Sequence, residues 1–239
     1  MSICETAAGI ARSAGYRNAG TVEFIFGQGK EYYFLEMNTR LQVEHPVTEE
    51  ITGLDLVHEQ LRIAAGESLG YQQHEIATQG HAIEFRIYAE DAGRGYTPTT
   101  GPILLLRPPQ GDGVRWDSGV TQGGEVTSAF DPMIAKLIVR GADRSEAIAR
   151  ADAALRDTVL LGCKTNTAFL RRLVAHPAFV AGDVHTGFLD ANPQIAAEPD
   201  IANDSLQVLL ATAALSTRPM IDAADAIPDL HAAIGGWTN

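Results

Sequence analysis

The segment FLEMNTRLQVEHP, from Phe34 to Pro46, constrains the fold of this chain more than any other. Glu36, Asn38, Arg40, Gln42 and Glu44 alternate with Leu35, Met37, Leu41 and Val43, and Thr39 breaks the apolar set. Side chains two residues apart on an extended segment share one face. The spacing therefore predicts a strand with one apolar side and one side dense in functional groups. His45 precedes Pro46, which biases it toward extended backbone. The β-rich run TVEFIF stands just upstream, separated by GQGK. Two such runs around a Gly-containing turn predict an antiparallel hairpin. A turn centred near Gly29 and Lys30 places Glu23 opposite Glu36.

That opposition has a chemical consequence. Directly paired residues have Cβ atoms roughly 5 Å apart, and like charges there destabilise a sheet. A proton or a cation must compensate if both carboxylates stay close. Glu23, Glu36 and Asn38 offer hard oxygen donors of the kind that suit Mg²⁺ or Mn²⁺. Spacing alone leaves the alternative of a solvated face where the two glutamates splay apart. A register slip of one residue would swing Glu23 to the other side. Arg40 and Glu44 also carry two readings. A guanidinium can hold a small planar oxyanion bidentately, with a carboxylate near enough to take its proton. A surface Arg–Glu pair worth little is the other. The density of functional side chains on one face favours the first.

The remaining chain reads as α+β. Ile3, Ala7, Ile10, Ala11 and Ala14 recur at helical spacing before Gly15. Thr48 to Gly66 reads as helical with a break at Gly53, and Asp55 is placed to cap the second part. Residues 71–80 are polar and Gly-containing, a linker composition. HAIEFRIYAED and DPMIAKLIVRG read as strands, with shorter strands between them punctuated by Pro and Gly. Asp143 with Glu146 resembles a capping box opening a helix, and Thr165 is placed to cap another before Pro177. From residue 191 the composition shifts to Ala, Asp and Pro, with LQVLLATAAL as one short helix.

Net charge is −12, which argues against nucleic acid and anionic membrane as general partners. No apolar run is long enough for a transmembrane helix, and the N-terminus lacks the pattern of a signal peptide. Cys4 and Cys163 match no metal or redox spacing. They read as reduced thiols, so a cytoplasmic setting is expected.

FLEMNTRLQVEHPVTEEITGLDLVHEQLRIAAGE resembles the signature of the biotin carboxylases, members of the ATP-grasp superfamily. GYRNAGTVEFIF before it, and HAIEFRIYAED, GPI, GVRWDSGV, DPMIAKLIVRG and LLGCKTN after it, match in the same order. The resemblance implies an α+β fold: the C-terminal part of an ATP-grasp domain over 1–70 and a linker over 71–80. A biotin carboxylase C-terminal domain, a mixed or antiparallel sheet with helices, follows over 81–190, and a connector over 191–239. It implies ATP-dependent carboxylation of biotin with bicarbonate through carboxyphosphate, within a biotin-dependent acyl-CoA carboxylase. By that resemblance Glu23 and Glu36 hold two Mg²⁺ or Mn²⁺ ions on the ATP phosphates, with Asn38 on the second. Arg40, Gln42 and the backbone N–H of Val43 bind bicarbonate, and Glu44 is its general base. Arg86 stabilises the biotin enolate; from spacing alone it is equally a partner for Glu84, two residues earlier. Ile25, Leu35 and Thr186 line the adenine pocket, and by pattern alone are core or near-core residues. The implied partners are ATP, bicarbonate, a biotinylated carrier domain, a carboxyltransferase subunit and further copies of the chain.

A complete member of that family is longer, and its Gly-rich phosphate loop precedes the part matched here. GQGK is too short for such a loop. The expectation is a fragment that keeps the catalytic face, is inactive alone and tends to associate through exposed apolar surface. Two other readings stand beside it: a different ATP-grasp ligase, against which QVEHP argues, and a non-catalytic module of the same fold.

Overall fold

In a computed structural model the described residues are 2–27, 29, 31–197 and 203–216. They belong to two compact units, Met1–Ala197 and Glu198–Asn239. Of the second, a helix Asn203–Ser216 is described; the rest of the expected connector and its GGWTN end lie outside the described residues.

The first unit opens with helix α1, Ile3–Ser13. Its cap is a reciprocal box in which the Ser2 hydroxyl accepts from the Glu5 amide and the Glu5 carboxylate accepts from the Ser2 amide. Two orphan donors of the first turn are thereby satisfied. The hairpin follows: β1, Thr21–Phe26, runs antiparallel to β2, Tyr32–Asn38. Glu23 opposes Glu36 as expected, but the path to that register differs. Near the turn Phe24 opposes Phe34, and a bulge between Glu23 and Phe24 absorbs one residue of β2. An extra residue of this kind re-aims the side chains beyond it, and here it sets the two glutamates face to face.

The extended run ends earlier than its alternation predicts. β2 stops at Asn38, and residues 39–44 form a loop. Helix α2, His45–Thr52, begins at His45 rather than after it. Pro46 lies in the first turn, where the missing N–H costs nothing because it has no intrahelical acceptor. Arg40, Gln42 and Glu44 therefore lie on a loop and not on the strand face assigned to them. Gly53 ends α2 in the left-handed conformation, and Asp55 caps α3, Leu56–Ala64, through the His58 amide.

The core lies in a three-stranded antiparallel sheet. Its central strand β5, Met133–Gly141, is flanked by β3, His81–Tyr88, and β4, Val114–Ser118. Phe85 and Ile87 on β3 and Leu137 and Val139 on β5 are almost fully buried. Helix α4, Arg144–Asp157, packs over this sheet and buries Ala147, Ala151, Ala154 and Leu155. Asp143 caps it through the Glu146 amide, while the Glu146 carboxylate reaches back to the Ala142 amide. Helix α5, Thr167–Val174, adds Phe169, Leu170 and Val174. Asn166, not Thr165, precedes it. The 4% exposed Asn166 amide bridges β3, accepting from the Tyr88 amide at 3.0 Å and donating to the Arg86 carbonyl at 3.1 Å.

α2 meets β3 and β5. Its buried residues are Pro46 and Glu49. Among the described residues no helix is long and apolar enough to cross a membrane.

Leu137→Ala should cost about 2–5 kcal/mol in urea unfolding, because it leaves a cavity in a closed core. Leu104, 67% exposed, should tolerate the same change within about 0.5 kcal/mol.

Candidate active site

Cross-strand pairing groups the site's charged residues on the three-stranded sheet. Residues directly opposed across neighbouring strands share a face. One rung reads Asp117–Lys136–Arg86, and the next Arg115–Ile138–Glu84. The rung between them, Trp116–Leu137–Phe85, points to the other side and into the core. An apolar core and a strongly charged face thus alternate on the same three strands.

The loop after the hairpin and α2 meet this charged face. Arg86 donates from Nη2 to Glu44 Oε2 at 2.9 Å, joining residues 42 apart in sequence. Lys136 Nζ donates to the Val43 carbonyl at 3.1 Å and lies 3.5 Å from Asp117 Oδ2. Arg115 grips Asp117 with two parallel bonds of 3.0 Å. It also donates to Glu49 Oε2 at 2.7 Å, and Glu49 Oε1 accepts from the Leu56 amide at 2.8 Å. Glu49 thereby ties α2 to the start of α3 and to β4. The Arg115 guanidinium is held above its ordinary pKa, first by its bonds to Asp117 and then by Glu49, against the opposing effect of burial. For Asp117, burial pushes upward, but Arg115 and Lys136 outweigh it and leave the carboxyl below its usual range.

The hairpin end of the site holds oxygen donors. The half-buried Glu23 accepts at Oε1 from the Asn38 amide at 2.7 Å and from the Gln42 amide at 2.9 Å. Asn38 also donates to Glu36 Oε1 at 3.3 Å. The close carboxylates are bridged by amide N–H groups here. A half-turn of the Asn38 amide exchanges its NH₂ for its oxygen, which would complete a set of hard oxygens fitting Mg²⁺ or Mn²⁺. Among the described residues no cluster of three His, Cys, Asp or Glu surrounds one point, so such an ion would need further ligands.

Each expected site residue now has a position. Glu23, Glu36, Asn38 and Gln42 form one hydrogen-bonded group, and Val43, Glu44 and Arg86 meet at the charged sheet face. Arg40 is exposed and, among the described residues, donates only to the neighbouring Leu41 carbonyl, at 3.3 Å. It is not paired with Glu44, so the surface-pair reading fails. Arg86 is bonded to Glu44 and not to Glu84. Ile25 and Leu35 lie exposed on the hairpin, at 57% and 53%. Thr186 lines a separate cavity of about 490 Å³ with Ala92, Tyr96 and Asp190, and neither Ile25 nor Leu35 borders it. Lys136 and Glu49 have no place in the sequence reading, and Glu84 enters it only as a partner for Arg86. A lone lysine inside MIAKLIV was the available signal, since a charge in an apolar strand run needs a partner.

Glu84 stands apart. Both of its carboxylate oxygens are buried, with no hydrogen-bond partner among the described residues. Burial pushes its pKa up to about 7, opposed by Lys136 and Arg86 and assisted by Glu44 and Asp117.

Two family models match the chain. Residues 84–191 match the biotin carboxylase C-terminal domain, and residues 1–72 match the carbamoyl-phosphate synthase L chain ATP binding domain. Biotin carboxylase 2 of Bacillus subtilis is 54% identical over 189 residues, which is 79% of this chain and 42% of that protein. The mitochondrial methylcrotonoyl-CoA carboxylase subunit alpha of mouse is 51% identical over 186 residues, 77% of this chain and 26% of that one. The chain therefore spans well under two thirds of these relatives. Among solved structures, the biotin carboxylase domain dimer of Hydrogenobacter thermophilus 2-oxoglutarate carboxylase, in complex with MgADP, ADP and bicarbonate, superposes with a TM-score of 0.78 at 42% identity. That match covers 80% of this chain and 42% of that one.

The raised pKa of Glu84 sets a sign. The fold favours its protonated form, so that contribution to stability is complete below pH 4.5 and is lost as pH rises through about 7. Glu84→Gln should therefore melt about 2–4 °C above the parent near pH 8. The gap should close as pH falls toward about 5.

Proposed function

The chain belongs to the biotin carboxylase family, and from that membership we infer that its hairpin, the loop after it and β3 supply one side of a bicarbonate- and biotin-handling site. Residues 1–70 would close an ATP-grasp domain and 71–80 would link it onward. Residues 81–190 would form the biotin carboxylase C-terminal domain, and 191–239 would lead toward a further region. The Glu44–Arg86 contact carries this reading. It joins the acid beyond the hairpin to the arginine of β3, the two groups the reaction must bring to one place.

In the proposed reaction Arg40, Gln42 and the Val43 N–H hold bicarbonate, and Glu44 takes its proton. The bicarbonate oxygen attacks the γ-phosphorus of ATP, the bond to ADP breaks, and carboxyphosphate forms. Carboxyphosphate breaks down to CO₂ and phosphate, the released phosphate takes the ureido N–H proton of biotin, and the resulting enolate attacks that CO₂ through nitrogen to give carboxybiotin. Arg86 faces the enolate oxygen as a fixed cation, where charge develops. Glu23, Glu36 and Asn38 would hold Mg²⁺ or Mn²⁺, two ions in the family pattern, which neutralise charge on the phosphates. Arg86 begins paired with Glu44. Once Glu44 takes a proton that pair weakens, and Arg86 becomes available to the enolate. Ile25, Leu35 and Thr186 would border adenine.

The partners in this reading are ATP, bicarbonate and a biotinylated carrier domain, with a carboxyltransferase subunit acting downstream and a second copy of the chain in the assembly. The exposed Cys4 and the partly buried Cys163 are free thiols, which supports a reducing, cytoplasm-like compartment. A different ATP-grasp ligase is disfavoured by the match over residues 84–191.

The test is bicarbonate-dependent release of ADP with free biotin. It is measured on the chain alone and on the chain completed with the N-terminal part of the B. subtilis relative. Activity is expected in the completed protein. There Glu44→Gln should lower kcat by about 10²–10⁴-fold, the typical contribution of a positioned base. Full activity in that variant would remove Glu44 from its role. Glu36→Gln should raise the Mg²⁺ or Mn²⁺ concentration needed for half-maximal rate, and an unchanged requirement would remove it from the metal set.

A further inference from the structure

The site reading assigns no role to two charged residues of the sheet face beneath the loop. Lys136 is only 14% exposed, and its ammonium donates to the Val43 carbonyl at 3.1 Å. Carbonyl and N–H of adjoining residues share a rigid peptide plane, so this bond fixes the orientation of the Val43–Glu44 peptide. Glu84 is on the neighbouring strand. Lys136 opposes Arg86, and Glu84 is two residues before Arg86 on the same face. That makes Lys136 and Glu84 diagonal cross-strand neighbours, a separation that long side chains span. Both Glu84 oxygens are buried and accept no hydrogen bond among the described residues.

We propose that Lys136 is a positioning residue that anchors Val43 through its carbonyl, and with it both the Val43 N–H that binds bicarbonate and the adjoining base Glu44, and that Glu84, when ionised, competes with the Val43 carbonyl for the Lys136 ammonium. The inference deepens the bicarbonate reading above and rests on it for its kinetic consequence. The groups facing Glu84 are Lys136 from β5, Arg86 from β3, Asp117 from β4 and Glu44 from the loop. The two cations favour its ionisation, and the two carboxylates oppose it. Burial opposes it more strongly, so protonated Glu84 leaves Lys136 with Val43 and Asp117 at low pH. As pH rises through about 7, ionised Glu84 draws the ammonium away and loosens the loop.

The structural arm uses the 239-residue chain with ¹³C at the Val43 carbonyl, followed by NMR against pH. The parent should show a titration near neutrality. Glu84→Gln should abolish it and hold the signal at its low-pH position. Lys136→Met should pin the signal at one unbonded position at every pH, and Lys136→Arg should restore part of the bonded shift. A Val43 signal that Lys136→Met leaves unmoved, or a titration that survives in Glu84→Gln, would overturn the proposal. The kinetic arm uses the completed protein. Lys136→Met should raise the KM for bicarbonate about tenfold, the effect of losing one charge-assisted hydrogen bond. The KM for ATP should stay within about twofold, and Lys136→Arg should recover most of the loss. Equal increases in both KM values would mean a general structural role and would overturn it. If the parent shows no bicarbonate-dependent turnover, the bicarbonate reading fails, and the carbonyl titration still decides whether Lys136 and Glu84 act on Val43.

Discussion

The meeting of the loop after the hairpin with the charged sheet face depends on the bond between Arg115 and Glu49. Glu49 is 9% exposed, on a helix packed against a charged sheet face. A carboxylate in that position is tolerable only if it is paired and hydrogen-bonded. Arg115 satisfies one oxygen and the Leu56 amide satisfies the other. Removing either side-chain partner would leave a buried charge uncompensated, which is far costlier than losing a surface pair. The bond therefore holds α2 in one place on the sheet. α2 in turn fixes where the preceding loop lies, and hence where Val43 and Glu44 meet Lys136 and Arg86.

The charged face is economical in its use of the β period. Three strands with alternating side chains put Trp116, Leu137 and Phe85 into the core. Their neighbours Asp117, Lys136 and Arg86 go to the opposite side. Packing of the apolar rung against α4 holds the strands in register, and that register sets the spacing of the charges. Asn166 adds a second constraint, holding the β3 backbone at both Arg86 and Tyr88. The Arg86 side chain can then be 43% exposed and still have a defined origin. That suits the proposed reaction, in which this cation exchanges one partner for another.

Much of this could be read from residues alone. The hairpin, the opposition of Glu23 and Glu36, the Asp55 cap and the strands around Arg86 and Lys136 all follow from local rules of alternation, turn chemistry and capping. The structure departs from these rules where two of them disagree. Alternation carried the strand on through Glu44, but Pro46 accepts the first turn of a helix as readily as an extended segment follows it. The Phe24–Phe34 register near the turn is likewise invisible to alternation, because a bulge leaves no mark in the pattern of either strand.

The sequence by itself determined which chemical groups are available: paired carboxylates with an amide, an arginine and an acid close behind, and a second arginine on a later strand. These are matters of residue type and short-range periodicity. Only the tertiary structure decided which of them touch. Glu44 could have met Arg40, four residues away, or Arg86, 42 residues away, and no local rule ranks those choices. The contact is with Arg86 because burying Glu49 against Arg115 docks α2 on the sheet. The same docking sets Lys136 beneath Val43 and leaves Glu84 without a hydrogen bond among the described residues. Long-range burial of charge, which no short window of sequence reports, made those assignments.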